Sequence, residues 1–218
     1  RLFDAFNREL DKRGIIARKG SIVDASFVEI PRQRNTREEN QQIKEGKVPE
    51  EWKDDQAKMS HKDIDARWMK KNGEKYYGYK NHTKVDRKSK IITKYVVTSA
   101  NVHDSQALTE LLDRSDSGHM LYGDSAYSGN PIARKLEKMR IVRKICEKGT
   151  RAHPLTKEQN KRNRKKSKVR ALVEHVYGFM TNSMRGLESR VIGIIRTTTM
   201  VGLKNLTYNM FRFEQLVR

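Results

Sequence analysis

The chain has 218 residues, enough for one packed domain or for one domain with an insertion. Its 47 basic and 27 acidic side chains give a formal charge of +20, which predicts contact with a polyanion, most commonly nucleic acid. No stretch approaches the ~20 apolar residues that cross a bilayer, and no secretory signal pattern is present. The single cysteine, Cys146, excludes an internal disulfide and fits a reducing, cytoplasmic location.

The first predicted elements are a helix and a buried strand. Apolar residues recur at helical spacing from Leu2 to Leu10, and Gly14 ends the pattern. Because the chain starts inside this helix, we expect an upstream segment, which could carry a separate DNA-binding domain. Residues 21–30 are apolar on both faces, as in a central strand. Asp24 lies inside this run, where a carboxylate is costly unless a cation neutralises it.

Residues 37–75 interrupt this pattern as a polar insertion. Its first part, 37–65, contains nine acids and six bases, a net charge of −3 in a chain of +20, and few apolar residues. This composition predicts a flexible segment or a mobile flap. Trp52 and Trp68 either anchor it to the body of the protein or stack on unpaired bases.

A hairpin follows the insertion. Apolar and polar residues alternate over 76–86 and again over 91–99, with a turn between them. A helix is then predicted over 106–113, capped by Asp104 or Ser105.

The last third of the chain alternates strands and helices. We predict a strand over 119–124, a helix opening at Asn130 and Pro131, a strand over 141–146 in which Cys146 is a core residue, a basic loop over 147–168, a helix carrying Glu174, and a final helix over 197–217. Two apolar stripes, Leu172–Met180 and Met200–Met210, are predicted to face the core. The whole order predicts an α/β fold with a mixed five-stranded sheet flanked by helices.

Three acids in separate elements are the candidate catalytic residues: Asp24, Asp124 and Glu174. Two strand carboxylates and one helix carboxylate suit a two-metal site for phosphoryl transfer, and Mg²⁺ prefers a few such ligands. No Cys/His spacing indicates zinc. The alternatives are that Asp24 is a hydrogen-bonded strand acid, that Asp124 caps a turn, and that Glu174 pairs with Arg170.

A basic cluster enters the helix that carries Glu174. Residues 161–170 hold seven bases and no acid: Lys161, Arg162, Arg164, Lys165, Lys166, Lys168 and Arg170. The cluster is either a solvated face or, as we favour, a surface that tracks DNA phosphates. His82 and His175 are candidates for substrate contact; the alternatives are a position outside the site for His82 and packing within the helix for His175.

Five short segments, taken as a set, resemble the DDE (Asp-Asp-Glu) transposases of the insertion sequence four/five group, which have a ribonuclease H-like core. They are Ile22–Ser26, Tyr77–His82, Ala100–Ser105, Gly123–Tyr127 and Arg170–His175. The resemblance implies that Asp24, Asp124 and Glu174 hold two Mg²⁺ ions, with Mn²⁺ as a substitute, and that Arg170 contacts the scissile phosphate. Ser167 and Thr181 stand where the family often has tyrosine and lysine.

The same resemblance implies nicking at the ends of a mobile element and strand transfer into target DNA. It also implies a homodimer in a synaptic complex and association with a prokaryotic nucleoid. Three alternatives stay open: a metal-dependent nuclease of the same fold that joins no strands, an inactive DNA-binding module, and an RNA-associated basic protein.

Overall fold

The computed structural model describes residues 1–71 and 73–218; Asn72, within the predicted insertion, lies outside the described residues. The helices are α1 (Leu2–Lys12), α2 (Arg37–Lys44), α3 (Glu50–Lys53), α4 (Gln56–His61), α5 (Asp104–Leu111), α6 (Asn130–Lys138), α7 (Lys157–Arg170), α8 (Leu172–Ser183) and α9 (Ile194–Val217). The strands are β1 (Ser21–Glu29), β2 (Arg67–Lys71), β3 (Glu74–Asp86), β4 (Ile92–Ser99), β5 (Met120–Gly123) and β6 (Val142–Ile145). In the part of the chain that is described, no helix combines the length and apolar character needed to cross a membrane.

The strands form one mixed sheet. Strand β3 pairs antiparallel with β1 along one edge, while β2 and β4 pair with successive parts of its other edge. On the far side of β1, strands β5 and β6 continue the sheet in parallel. An antiparallel meander followed by parallel strands, with helices on both faces, is the ribonuclease H-like arrangement that the sequence predicted. Within the described residues it has six strands instead of five.

The sixth strand, β2, comes from the segment predicted as a flexible insertion. It pairs with the start of β3, from Arg67 opposite Gly78 to Lys71 opposite Glu74. Most of its residues are exposed or half-buried, as expected for a short edge strand. Its Arg-Trp-Met-Lys-Lys sequence has no apolar alternation, so the sequence pattern does not predict a strand there.

Each face of the sheet has its own apolar core, because successive side chains of a strand point to opposite faces. Ile22 and Val28 of β1 pack in the cluster that also receives α8 and α9. Val23, between them, packs in the second cluster, with Leu108 of α5 and Leu136 of α6. The alternation in β1 fixes which face Asp24 occupies: it shares the face of Ile22, toward α8.

Gly78 allows β3 to lie close against β1. Its φ of +139° is a conformation that residues with a Cβ rarely adopt. A Cβ added there would also collide with the backbone oxygen of Val28 on the neighbouring strand. A larger residue at position 78 would therefore disturb the pairing of the two central strands.

The polar insertion contains regular structure. Helix α2 begins with a capping box, in which Thr36 accepts from the Glu39 N–H and the Glu39 carboxylate accepts from the Thr36 N–H. Trp52 is fully buried, and its Nε1 donates to Glu39 Oε1 at 2.6 Å. Trp52 is thus the anchor that the sequence suggested, whereas Trp68 is 45% exposed.

The predicted basic loop over 147–168 was wrong in its second half. Helix α7 occupies Lys157–Arg170 and starts with a capping box between Thr156 and Gln159. None of its residues is buried, so it shows no apolar periodicity. Lysine, arginine, glutamine and glutamate are nevertheless strong helix formers, and the run contains no Pro or Gly.

The stripe predicted on the final helix is only half right: Met200 and Leu206 pack against the core, but the other two residues do not. Leu203 and Met210 are 51% and 53% exposed, and the buried face carries Asn205 and Asn209 instead. Asn209 accepts from the Ile92 N–H and donates to the Ile92 carbonyl, at 2.9 and 2.8 Å. The asparagines were not predicted because they satisfy backbone groups at the edge of β4, a need that hydrophobic patterning does not show. The stripe on α8 was predicted correctly: Val173, Val176 and Met180 are buried.

Two smaller predictions also change. Helix α5 starts at Asp104, and its cap is His103, whose side chain accepts from the Ser105 N–H, instead of Asp104 or Ser105. Strand β6 ends at Ile145, so Cys146 follows the strand and is only partly buried. Its sulfur lies 3.7 Å from Ser167 Oγ on α7.

Candidate active site

Asp24 lies at the centre of the sheet, on β1 between β3 and β5. Its side chain is 17% exposed, and its Oδ1 accepts from the Ala25 N–H at 2.9 Å. Burial raises the pKa of Asp24 above its ordinary value; the charge of Asp124 adds to the rise, and the Ala25 N–H and Arg170 oppose it. A carboxylate held in this position gains from any cation that reaches it.

Asp124 directly follows β5, the parallel neighbour of β1. Ile22 is paired with Tyr122, and two residues further along each strand come Asp24 and Asp124. Asp124 also caps a short 3-10 turn, accepting from the Ala126 N–H at 2.8 Å, so the capping alternative describes part of its role. Parallel strands end at the same edge, which is why two acids separated by 100 residues in sequence become neighbours.

Arg170 connects the third acid to the first. At the end of α7, its Nη1 donates to Asp24 Oδ2 at 3.0 Å, and its Nη2 lies 3.6 Å from Glu174 Oε1. Glu174, on the first turn of α8, is 65% exposed. The predicted pairing of Arg170 with Glu174 is therefore present, and the same guanidinium also reaches the buried Asp24.

The three predicted metal ligands fit a magnesium ion by chemistry, since all offer carboxylate oxygens. Their arrangement fits it in part: Asp24 and Asp124 are neighbours, whereas Glu174 is held to Arg170. Within residues 1–71 and 73–218, no group of three or more His, Cys, Asp or Glu side chains is gathered closely enough to hold a metal ion. Arg170 supplies the positive charge beside Asp24 instead.

The two candidate histidines lie in different surroundings. His82 is fully buried; its Nε2 lies 2.8 Å from Thr98 Oγ1, and its Nδ1 has no partner in the described chain. Burial lowers the pKa of His82 to about 4, so the ring is neutral near neutral pH. Substrate contact would require its neighbours to move. His175 is exposed, and it lines a small cavity beside Phe179 and Tyr208, one helical step away from Glu174.

Helix α7 presents the predicted basic cluster to solvent. Arg162 and Lys166 bind Glu147, at 3.0 and 3.2 Å, and these contacts lower the pKa of Glu147 to about 2. In the described chain the others on α7 apart from Arg170 have no carboxylate partner: Lys161, Arg164, Lys165 and Lys168. These four charges are available to an external anion.

Comparison with known proteins identifies the family. The profile of the transposase DDE domain family matches residues 17–210, which is most of the chain. The chain belongs to this family. A curated relative, the transposase for insertion sequence element IS1106 of Neisseria meningitidis serogroup B, is 32% identical over 213 residues, covering 97% of this chain and 71% of the relative. No solved structure matches the chain.

The DDE domain contains two contacts near the acids that the sequence did not reveal. Tyr177, on α8 one turn after Glu174, has its hydroxyl 2.7 Å from Thr83 Oγ1, and burial, with a contribution from Asp24, raises the pKa of Tyr177 well above its ordinary value. Thr83 is the residue paired with Asp24 across β1 and β3. Helix α8 is thus tied to the strand beside Asp24. The sequence does not predict this contact, because it depends on the register in which β3 pairs with β1.

The second contact joins two of the segments on which the family resemblance was based. Lys80 donates to Asp104 Oδ1 at 2.8 Å, and the two side chains are only 7% and 18% exposed. Lys80 also donates to the Val102 carbonyl at 2.8 Å. The sequence predicted Asp104 as a candidate helix cap. The structure shows that it is the buried counter-charge of Lys80, and this ion pair fixes α5 against β3.

Proposed function

We propose that this DDE domain cleaves phosphodiester bonds at the ends of a mobile element and transfers the freed strands into target DNA. The observation that carries the proposal is the meeting of Asp24 and Asp124 on adjacent parallel strands, joined through Arg170 to Glu174. This group lies where α7, with its lysine and arginine side chains that have no carboxylate partner, meets the sheet. An acidic centre beside a cationic helix suits a reaction on a polyanion.

Asp24, Asp124 and Glu174 are the residues that would hold Mg²⁺, with Mn²⁺ as a substitute. Bound there as a pair, such ions would stabilise the charge on the attacking and leaving oxygens of the phosphodiester. The burial of Asp24 supports this assignment, because a buried carboxylate beside another acid is stabilised by a cation.

Arg170 would position the substrate. Its guanidinium is held by Asp24 and Glu174, and a phosphate oxygen offers the same fork of acceptors. On DNA binding, we propose that Arg170 exchanges a carboxylate for a backbone phosphate, which frees Asp24 and Glu174 toward Asp124. We propose a homodimer as the assembly that brings two element ends together.

A donor–target joining assay tests the proposal. Donor DNA carrying the ends of the parent element is incubated with target plasmid and Mg²⁺. Separate Asp24→Asn, Asp124→Asn and Glu174→Gln variants should each lose at least about 100-fold in both cleavage and joining. Glu29→Gln is the matched control, because it removes an exposed carboxylate from the same strand and should leave both rates unchanged.

The same assay separates the alternatives. Cleaved donor without joined product would favour a nuclease. Unchanged behaviour of the Asp24→Asn and Asp124→Asn variants, with salt-sensitive DNA binding, would favour an inactive binding module. A preference for folded RNA that chelation of magnesium does not alter would favour an RNA-associated protein.

A further inference from the structure

A groove between the insertion and the edge strand β2 has a volume of about 710 Å³. We name it the Trp68 groove. Its walls come from α2 and the residues before it, from β2, and from the loop after β4. The volume lies in the range of small-molecule and nucleotide sites, roughly 300–1,000 Å³. It is separate from Asp24, Asp124 and Glu174, none of which lines it.

An exposed indole forms one wall of the groove. Trp68 is 45% exposed, although an indole on an edge strand could have packed inward as Trp52 does. The Tyr77 ring supports it from the next strand, with ring centroids 5.0 Å apart. The Arg32 guanidinium lies over the indole, 5.5 Å from its centroid. The ring therefore already accepts a flat, delocalised group over its face, as a nucleic-acid base would be.

The walls of the groove carry positive charge that no acid neutralises. The Arg67 guanidinium donates to the backbone carbonyls of Ile43, Ile64 and Ala66, all within 3.0 Å. Among the described residues, no carboxylate lies within ion-pair distance of Arg67 or of the nearby Arg37. Lys44 and Arg32 are likewise without an acidic partner in the described chain. Four cations around one exposed indole favour an anionic, aromatic ligand.

The groove faces the same side of the sheet as the catalytic acids. Trp68 is paired with Tyr77, and Thr83, six residues further along β3, is paired with Asp24. Six residues of strand span about 20 Å, and side chains an even number apart share a face. About 20 Å corresponds to roughly six base-pair steps of DNA at ~3.4 Å each. A strand held at Asp24 can therefore extend toward the groove.

We infer that the Trp68 groove binds an unpaired segment of DNA, with a base stacked on Trp68 and its phosphates held by Arg37, Lys44 and Arg67. Arg32 leaves the indole when the base arrives and pairs with the adjacent phosphate. The exposed amide of Asn101, on the loop after β4, lies at the rim, where it can meet a base edge. The inference rests on the proposed function only in taking DNA as the substrate.

Binding measured without divalent ions tests the inference, because chelation prevents cleavage. Two labelled DNAs are compared by fluorescence anisotropy: a blunt duplex, and the same duplex with a single-stranded overhang of roughly ten nucleotides, a length within the range of single-strand sites. The full chain should bind the overhang DNA more tightly. The overhang should also quench tryptophan fluorescence more than the blunt duplex does, because only Trp68 of the two tryptophans is exposed.

Substitutions assign the preference to the groove. Trp68→Ala should remove about tenfold of the affinity for overhang DNA and leave the blunt-duplex affinity unchanged. Trp68→Phe, which keeps a stacking ring, should retain most of the preference. Arg37→Gln with Lys44→Gln should weaken overhang binding. Lys47→Gln with Lys53→Gln, an equal loss of charge from exposed side chains outside the groove, should not.

Two results would overturn the inference: equal affinity for the two DNAs, or an overhang preference that survives Trp68→Ala. Neither result bears on the catalytic acids, whose role is read from cleavage and joining. Conversely, loss of cleavage in Asp24→Asn leaves the overhang preference intact. Thermal unfolding of each variant confirms that a lost preference reflects the groove and not the fold.

Discussion

Arg170 makes the contact that links Asp24 to Glu174. Asp24 is 17% exposed and lies beside Asp124, so its negative charge is both poorly solvated and repelled. The Arg170 guanidinium opposes both effects at 3.0 Å, while reaching Glu174 at 3.6 Å. Arg170 is thus the cation that opposes the burial of Asp24 and its repulsion by Asp124.

Removing the Arg170 guanidinium should make the stability of the fold depend on divalent ions. We expect Arg170→Gln to lower the free energy of unfolding by about 1–2 kcal/mol, because Asp24 keeps its burial and loses its counter-charge. Added Mg²⁺ should raise the Tm of this variant more than that of the unaltered chain, since the ion would replace the guanidinium. Thermal unfolding with and without Mg²⁺ measures both effects.

Arg162→Gln is the control for this experiment. Arg162, which is also on α7, forms an ion pair with Glu147, but that pair is more exposed and remote from Asp24. Its loss should change stability little and should not alter the response to Mg²⁺. If Mg²⁺ raised the Tm of the unaltered chain and of both variants equally, this would contradict the proposed competition between Arg170 and the ion.

Helix α7 is the element that presents charge without internal compensation. Glu147 engages Arg162 and Lys166, which fastens the helix to the end of β6. Lys166 also donates to the Ile145 carbonyl at 2.9 Å. Apart from Arg170, which binds Asp24 and Glu174, the bases on its other faces have no carboxylate partner in the described chain. The helix therefore separates its bases into those that hold the fold and those that are exposed to solvent.

The α7 bases without a carboxylate partner should determine how DNA affinity depends on salt concentration. Replacing Lys161, Arg164, Lys165 and Lys168 together by glutamine should reduce the slope of log affinity against log salt by about 3–4, at ~0.9 per lost phosphate contact. Filter binding of duplex DNA over a range of salt concentrations measures the slope.

A matched variant removes the same net charge from bases that are already paired: Lys12, Lys47, Lys53 and Arg218. Its slope should change by less than one. Equal changes in the two variants would mean that net charge, and not the position of α7, governs binding.

At the scale of the whole molecule, Asp63 joins three parts that are distant in sequence. It is 1% exposed, at the end of the insertion. Its carboxylate accepts from the Tyr79 hydroxyl of β3 at 2.7 Å and from the Gly193 N–H before α9 at 2.9 Å. It also accepts from the Asp65 and Ala66 N–H groups, at 2.9 Å each. The insertion, the sheet and the last helix are therefore held through one side chain.

Loss of the Asp63 carboxylate should strongly destabilise the fold. Asp63→Ala leaves a buried tyrosine hydroxyl and three backbone N–H groups without a partner, and we expect a loss of about 3–5 kcal/mol in the free energy of unfolding. Chemical denaturation measures it. Asp55→Ala, which removes the cap of α4 in the same insertion, should lose only about 1 kcal/mol. Equal losses would contradict a special role for Asp63.

The sequence by itself determined the family, the order of most elements and the candidate acids. These follow from local information: a run that is apolar on both faces marks β1, alternation marks β3, and Asp24 is conspicuous because a carboxylate interrupts the buried run. The charge of +20 likewise predicts a polyanionic partner from composition alone. Where local pattern and fold agree, as along α8, the prediction was confirmed.

Only the tertiary structure decided how those parts meet. Helix α7 and strand β2 lack apolar periodicity, and the insertion is ordered by capping boxes and by Asp63, whose partners are up to 130 residues away. The bridge from Arg170 to Asp24 spans 146 residues. Such contacts depend on strand register and helix packing, and the polar groups that make them give no periodic signal in the sequence.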